Sequence, residues 1–204
     1  MGSRVVVANR VNLPIDSFFS SLAQDCGARA MGVVLSGTGT DGTFGLAAIK
    51  AAGGITFVQD PETAKFEGMP RSALETGAAD FCLSPEAIAD EIFHVGEHPY
   101  LREHAAVPEL DKHMGALTAL IKASFGIDLT HYKRNTIERR LQRRMAVQRI
   151  DSVADYLRFC QKDPRELTAL HRDLLINVTS FFRNGTPFEV LKDELLSRIL
   201  ERKK

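Results

Sequence analysis

Cysteine is scarce in this chain. Its three residues, Cys26, Cys82 and Cys160, are odd in number, far apart and form no CxxC pair. That pattern favours a reduced cytosolic compartment over a disulfide scaffold. Long apolar runs are missing too: none approaches the roughly 20 residues a membrane-spanning helix needs. The N-terminus lacks the basic and apolar regions of a signal peptide. A cytoplasmic protein without membrane insertion is therefore expected. Net charge is absent in total, with 26 basic and 26 acidic residues among 204. Its distribution is lopsided: residues 1–108 carry 7 Lys and Arg against 13 Asp and Glu, and residues 109–204 carry 19 against 13. An acidic half followed by a basic half supports two domains with different partners.

The apolar and charged fractions, 44% and 25%, are those of an ordinary globular protein and exclude disordered and collagen-like classes. Arg4 to Ala8 reads as a short strand. Asn12 and Pro14 mark a helix start, with Ile15, Phe18, Phe19 and Leu22 on one face and Gly27 as the stop. Met31 to Leu35 is a continuous apolar run, the mark of a strand covered on both faces. A helix bearing Phe44 to Ile49 ends at Gly53-Gly54. Ile55 to Val58 is the next strand, Pro70 to Glu75 a short helix and Ala79 to Leu83 another strand. Ser84 then caps a helix with Pro85 at its first position. Strands alternating with helices predict a parallel α/β layer.

Gly96 to Pro108 has no apolar period and reads as a linker. Every segment after it reads helical, with no internal repeat. Leu110, Met114, Leu117 and Ile121 share a face, and Ile137, Leu141 and Met145 lie four apart. Asp151 is placed to cap a short helix bearing Val153, Leu157 and Cys160. Asp163-Pro164-Arg165-Glu166 reads as a capping box, and Thr186-Pro187-Phe188-Glu189 repeats it before a final helix.

Gly37-x-Gly39-x-x-Gly42 matches the dinucleotide-binding fingerprint, with Asp60 where a ribose-binding acid would stand. A pyrophosphate in that fold rests on the loop amides and the helix N-terminus. Asp41 would put a carboxylate into the same space, where like charges about 4 Å apart repel by roughly 4 kcal/mol at an effective dielectric of 20. No Lys-Ser/Thr follows the glycines, which excludes a P-loop. Asp41 is better read as the anion that a helix N-terminus stabilises, held ionised to orient a cation such as histidine. An Asp that caps a helix and does nothing more fits the same residues.

Pro14-x-Asp16-x-x-Phe19-x-Ser21-Leu22-Ala23, Leu35-Ser36-Gly37-Thr38-Gly39-Thr40-Asp41-Gly42, Gly53-Gly54, Gln59-Asp60-Pro61 and Gly68-Met69-Pro70-Arg71-Ser72-Ala73 together resemble the C-terminal half of the chemotaxis methylesterase family, CheB. The resemblance covers nearly all of residues 4–93. It implies that Asp41 is the aspartate of a Ser-His-Asp triad that hydrolyses glutamyl methyl esters on receptors, with the Met69-Pro70 turn nearby. The family's serine and histidine fall on segments before this chain's first residue. No serine here sits in a nucleophile elbow. His94 and His98 fall at a helix end and in the linker, and as a metal pair they are interrupted by Gly96, so no metal is expected.

Lys133, Arg134, Arg139, Arg140, Arg143, Arg144 and Arg149 crowd one predicted helix. Arg139 with Arg143, and Arg140 with Arg144, project as two ridges flanking the Ile137-Leu141-Met145 stripe. Like charges at that spacing destabilise a helix by a few tenths of a kcal/mol each, which suggests an acidic partner. A solvated face paired to Glu138 and its neighbours is the plainer reading. Nucleic acid is disfavoured because aromatic interleaving is poor.

Gly126-Ile127-Asp128-Leu129, Tyr132-Lys133-Arg134, Arg139-Arg140-Leu141-x-x-Arg144-Met145, Tyr156-Leu157 and Asn177-Val178-Thr179-Ser180-Phe181-Phe182-Arg183 resemble the N-terminal helical domain of the chemotaxis receptor methyltransferase family, CheR. The resemblance runs from about residue 110 to 200. It implies that Arg139, Arg140, Arg143 and Arg144 face the receptor's glutamate-bearing helices, and that Asn177, Thr179 and Arg183 contact S-adenosylmethionine. Those three offer amide, hydroxyl and guanidinium groups suited to a polar ligand with a carboxylate.

The expected fold class is a partial α/β parallel-sheet domain followed by an all-α helical domain. Residues 1–95 form the first, 96–108 the linker, 109–185 the helical domain, and 186–204 a helix leading toward a methyl-donor domain. The expected function is a piece of a bifunctional chemotaxis adaptation protein with cytoplasmic receptor helices as partners. It would not turn over alone, and S-adenosylmethionine is implied for the longer parent. One alternative is a non-catalytic receptor-docking module, and another is a dinucleotide-binding domain joined to a basic nucleic-acid binder.

Overall fold

The computed structural model describes residues 13–98, 100 and 110–175. The expected strand at residues 4–8 and the helix after Thr186 lie outside them. Helix α1 (Pro14–Cys26) starts on a proline, whose missing N–H is no loss in a first turn, and ends at Gly27 with φ 54°. Strand β1 (Met31–Val34) leads through the glycine loop to α2 (Thr43–Ala52), which is bracketed by left-handed Gly42 and Gly53. Then come β2 (Ile55–Gln59), α3 (Gly68–Glu75), β3 (Phe81–Leu83) and α4 (Pro85–Glu97), the last capped as expected by Ser84. The three strands pair in parallel in the order β1-β2-β3, with Met31 opposite Ile55 and Phe57 opposite Phe81.

Four more helices follow: α5 (Leu110–Phe125), α6 (Arg134–Gln148), α7 (Val153–Lys162) and α8 (Pro164–Leu175). Their apolar stripes meet in one core, in which Leu117, Ile121, Ile137, Leu141, Tyr156, Leu170 and Leu174 are buried. Two local expectations need correction. Ser152, not Asp151, caps α7 by accepting from Asp155 N. Asp163 does cap α8, accepting from Arg165 N at 2.9 Å, but Glu166 does not complete the box. Its carboxylate turns inward to Arg144, Gln148 and Tyr156 instead.

The pleat of β2 sends side chains to two different cores. Val58 meets Phe19, Leu46, Ile49 and Ala73 under α1, α2 and α3. Ile55 and Phe57 face the other way and meet Ile88 and Val95 of α4 together with Ala146 and Val147 of α6. Helix α6 thus covers part of the sheet while it also belongs to the helical core. The described elements through Leu174 lie in one compact unit. Helix α4 runs on through Gly96 to Glu97, so the expected linker opens inside a helix. Tyr100 is buried just beyond it, and its hydroxyl donates to the Gly53 carbonyl at 2.7 Å. No helix among the described residues is long and apolar enough to cross a membrane.

Candidate functional site

The glycine loop leaves the C-terminal end of β1, where open parallel sheets place their ligand and catalytic groups. Gly37 of the loop and Gly68, which opens α3 opposite it, are fixed by close packing. A Cβ on Gly37 would lie 2.3 Å from Met69 Sδ, and one on Gly68 would lie 3.1 Å from Gly39 N. Backbone bonds close the same gap: Gly37 N donates to Phe66 O and Met69 N to Gly37 O, both at 2.9 Å. Ser36 N donates to Gln59 Oε1 at 2.8 Å, and Ser36 Oγ accepts from Phe66 N. The Gly68-Met69-Pro70 turn is thereby held against the loop.

Asp41 does not serve the helix that follows it. Its Oδ1 accepts from Asp16 N at 2.9 Å and its Oδ2 from Ile15 N at 3.1 Å, the first free amides of α1. Asp16 acts in the opposite sense, because its Oδ1 accepts from Gly45 N in the first turn of α2 at 2.7 Å. Each carboxylate thus caps the other's helix, and the positive ends of both helix dipoles face an anion. The crossing is tight, since a Cβ on Gly45 would lie 2.5 Å from Phe19 Cβ. Asp16 was missed in the sequence, where an acid in a proline-led first turn reads as a local cap. The second oxygen, Oδ2 of Asp16, is buried and has no hydrogen-bond partner among the described residues.

This geometry removes the dinucleotide alternative. The amides of Ser36 and Gly37 are already bonded, and the carboxylate of Asp16 fills the anion position at the N-terminus of α2. Asp60, the expected ribose acid, accepts from Glu62 N and caps a short 3-10 turn.

The basic helix is arranged differently from the sequence expectation. Arg140, Arg143 and Arg144 are buried, while Arg139 is exposed. Arg140 donates to the last carbonyls of α2, Nη1 to Lys50 O at 3.1 Å and Nη2 to Ala51 O at 2.6 Å. Arg143 Nε donates to Gly54 O at 2.9 Å, and its two terminal nitrogens pair with Asp173 and Asp80. Arg144 forks onto Glu166, with Nε to Oε1 at 2.9 Å, and Tyr156 donates to the same oxygen at 2.6 Å. Arg149 pairs with Glu91 of α4. Arg140, Arg143 and Arg144 therefore do not form an exposed docking face in this fold. The reason is that α6 lies between the helical core and the sheet, so both flanks of its apolar stripe are covered.

The charges shift one another accordingly. Burial pushes the Asp80 carboxyl up, but Arg143, Lys50 and Arg144 together pull it below the ordinary range. Burial lowers Arg140, and its neighbour Arg139 adds to that, against a smaller opposing pull from Asp173. Burial and the Glu166 carboxylate hold the Tyr156 hydroxyl protonated. Among the described residues no cluster of His, Cys, Asp or Glu could hold a metal. His98 instead accepts from Tyr100 N through Nδ1 and lies 3.6 Å from Asp151. Asn177, Thr179 and Arg183 lie outside the described residues.

A carboxylate held by helix amides at the carboxyl end of a parallel strand, with a buried-charge helical layer on the opposite end of the sheet, defines a two-part α/β and all-α protein. Comparison with known proteins assigns both parts. Residues 2–92 match the family model described as CheB methylesterase, and residues 112–175 match that of the CheR methyltransferase all-alpha domain. The chain joins a segment of the first family to a segment of the second. An uncharacterized 104.1 kDa protein of Rhodobacter capsulatus is 36% identical over 214 residues, covering 93% of this chain and 22% of that protein. A protein-glutamate methylesterase/protein-glutamine glutaminase of Anaeromyxobacter dehalogenans is 50% identical over 74 residues, 36% of this chain and 21% of that one. The crystal structure of the Thermotoga maritima CheB methylesterase catalytic domain is 34% identical at a TM-score of 0.37, covering 38% of this chain and 41% of that one. The chain spans about a fifth of the length of the curated relatives it matches.

Proposed function

We propose that this chain is the junction of a bifunctional chemotaxis adaptation protein of the cytoplasm, acting on glutamates of methyl-accepting receptors. The observation that carries the reading is the order of the two family segments, methylesterase at 2–92 and methyltransferase at 112–175, in one chain. In the first activity Asp41 is the orienting carboxylate of a hydrolytic triad. The amides of Ile15 and Asp16 hold it in place, as a carboxylate that fixes a histidine tautomer and stabilises an imidazolium must be held. In the second, Asn177, Thr179 and Arg183 contact S-adenosylmethionine, and α6 meets glutamate-bearing receptor helices.

In this reading the chain by itself does not turn over, which the bonding of Asp41 to backbone amides among the described residues supports. Incubation with a methylated receptor fragment tests this by methanol release. No release above background is expected from the chain or from Asp41→Asn. Release that Asp41→Asn abolishes would show a complete triad and overturn the claim.

A further inference from the structure

The three buried arginines of α6 are not equivalent. Arg144 is neutralised inside the helical layer by Glu166 of α8. Arg143 has one carboxylate in that layer, Asp173 at 2.5 Å, and a second across the boundary, Asp80. Arg140 has no carboxylate bonded to it among the described residues. Its contacts are the carbonyls of Lys50 and Ala51, and its Nε is buried without a partner. Carbonyls at a helix C-terminus carry only about half an elementary charge in all, and Asp173 acts on this cation without a bond to it, so among the described residues it is incompletely compensated. Buried charges are ordinarily paired with a full countercharge.

Among the described residues, each atom that holds Arg140, and two of the three groups that hold Arg143, belong to the α/β segment: Lys50 O, Ala51 O, Gly54 O and Asp80. These lie at the amino ends of β2 and β3 and the end of α2, away from the Asp41 loop. We propose that the Arg140–Arg143 row is a shared surface for which this carbonyl-and-carboxylate rim and a glutamate-bearing partner helix compete. Docking on α6 then requires the two segments to part. The inference rests on the proposed reading that α6 meets glutamate-bearing receptor helices, and it adds the regulation of that contact. A partner glutamate supplies the bonded countercharge that Arg140 lacks among the described residues, which gives the exchange a driving force. Arg144 keeps Glu166 and Arg143 keeps Asp173 throughout, so the helical layer stays intact as the rim withdraws. Arg139, exposed beside Arg140 and one turn before Arg143, offers a first foothold for the acidic helix.

The test uses the full 204-residue chain and a synthetic helical peptide with four glutamates along one face, beside its glutamine counterpart. Affinity is measured by fluorescence anisotropy for the chain and for Asp80→Asn, which weakens the rim without altering α6. The glutamate peptide is expected to bind Asp80→Asn at least ten-fold tighter than the unaltered chain, and Arg140→Glu added to that variant to remove binding. Hydrogen exchange on the unaltered chain provides a second reading should Asp80→Asn fail to fold. Saturating peptide is expected to deprotect residues 50–58, the end of α2 and β2. Peptide binding that leaves those amides as protected as before would overturn the competition while keeping the docking reading. Absence of binding even where Asp80→Asn shows residues 50–58 deprotected would overturn the docking reading itself, and the competition with it.

Discussion

Asp41 stands before α2 yet caps α1, and Asp16 in the first turn of α1 caps α2. The sequence allowed Asp41 to be an anion stabilised by a helix N-terminus. It could not say which helix, because the donors lie 25 and 26 residues earlier in the chain and are brought there by tertiary packing. The reciprocity has a measurable consequence. Removing either cap by Asp41→Ala or Asp16→Ala is expected to cost about 0.5–2 kcal/mol. The two losses should not add, because Asp16 N is a donor to Asp41 and both bonds hold one helix pair. Coupling of about 0.5 kcal/mol or more is expected in a double-mutant cycle read by urea denaturation. Strict additivity would mean that the two caps act independently. The rigid carboxylate that results is what a triad requires.

At the scale of elements, helices and strands were legible because their signals are local: proline-led starts, glycine stops, and apolar residues at period four or in short runs. Ser84 and the stripe Ile137-Leu141-Met145 behave as their spacing predicts. The position of α6 was not legible. A helix with five arginines, and a sixth at its C-cap, reads as a solvated or docking face, and whether its flanks are covered depends on partners far off in sequence, such as Asp80, Glu166 and Asp173. Those carboxylates are ordinary in the sequence and become significant only in three dimensions. The distinction between buried and exposed arginines is testable within this one helix. Glu166→Ala leaves Arg144 buried without its hydrogen-bonded carboxylate, with only Asp80 at 3.7 Å, and strands the Tyr156 hydroxyl, so it should cost about 3–5 kcal/mol. Arg139→Ala removes an exposed charge and should stay within about 0.5 kcal/mol of the unaltered chain. Equal effects in urea denaturation would refute the assignment of α6 as an internal element.

For the whole molecule, the sheet and the helical layer share a core and an ionic seam. Ala146 and Val147 pack on Ile55 and Phe57, while Arg140, Arg143 and Arg149 reach the α/β segment at α2, β2, β3 and α4. Composition divided the chain into an acidic and a basic half; the fold turns that same asymmetry into the contact between them. Asp80 is the centre of the seam, with Lys50 at 3.1 Å, Arg143, and Arg144 at 3.7 Å around it. Its carboxyl is held below the ordinary range despite burial, so the folded state binds its proton less readily than the unfolded chain. The stability it contributes is fully present above the unfolded value, about 3.9, and is lost as pH falls through the lower folded value. Glu67, Glu86, Asp128 and Asp163 are lowered in the same direction, mainly by hydrogen bonds at sites open to solvent, so each contributes little, and the ion pairs among them are further screened by salt. Urea midpoints measured at decreasing pH in high salt should therefore still fall once pH drops below about 5. In Asp80→Asn the overall midpoint should be lower and this residual fall flatter. A variant whose acid dependence in high salt matches that of the unaltered chain would mean that Asp80 is not the carboxylate joining the two segments.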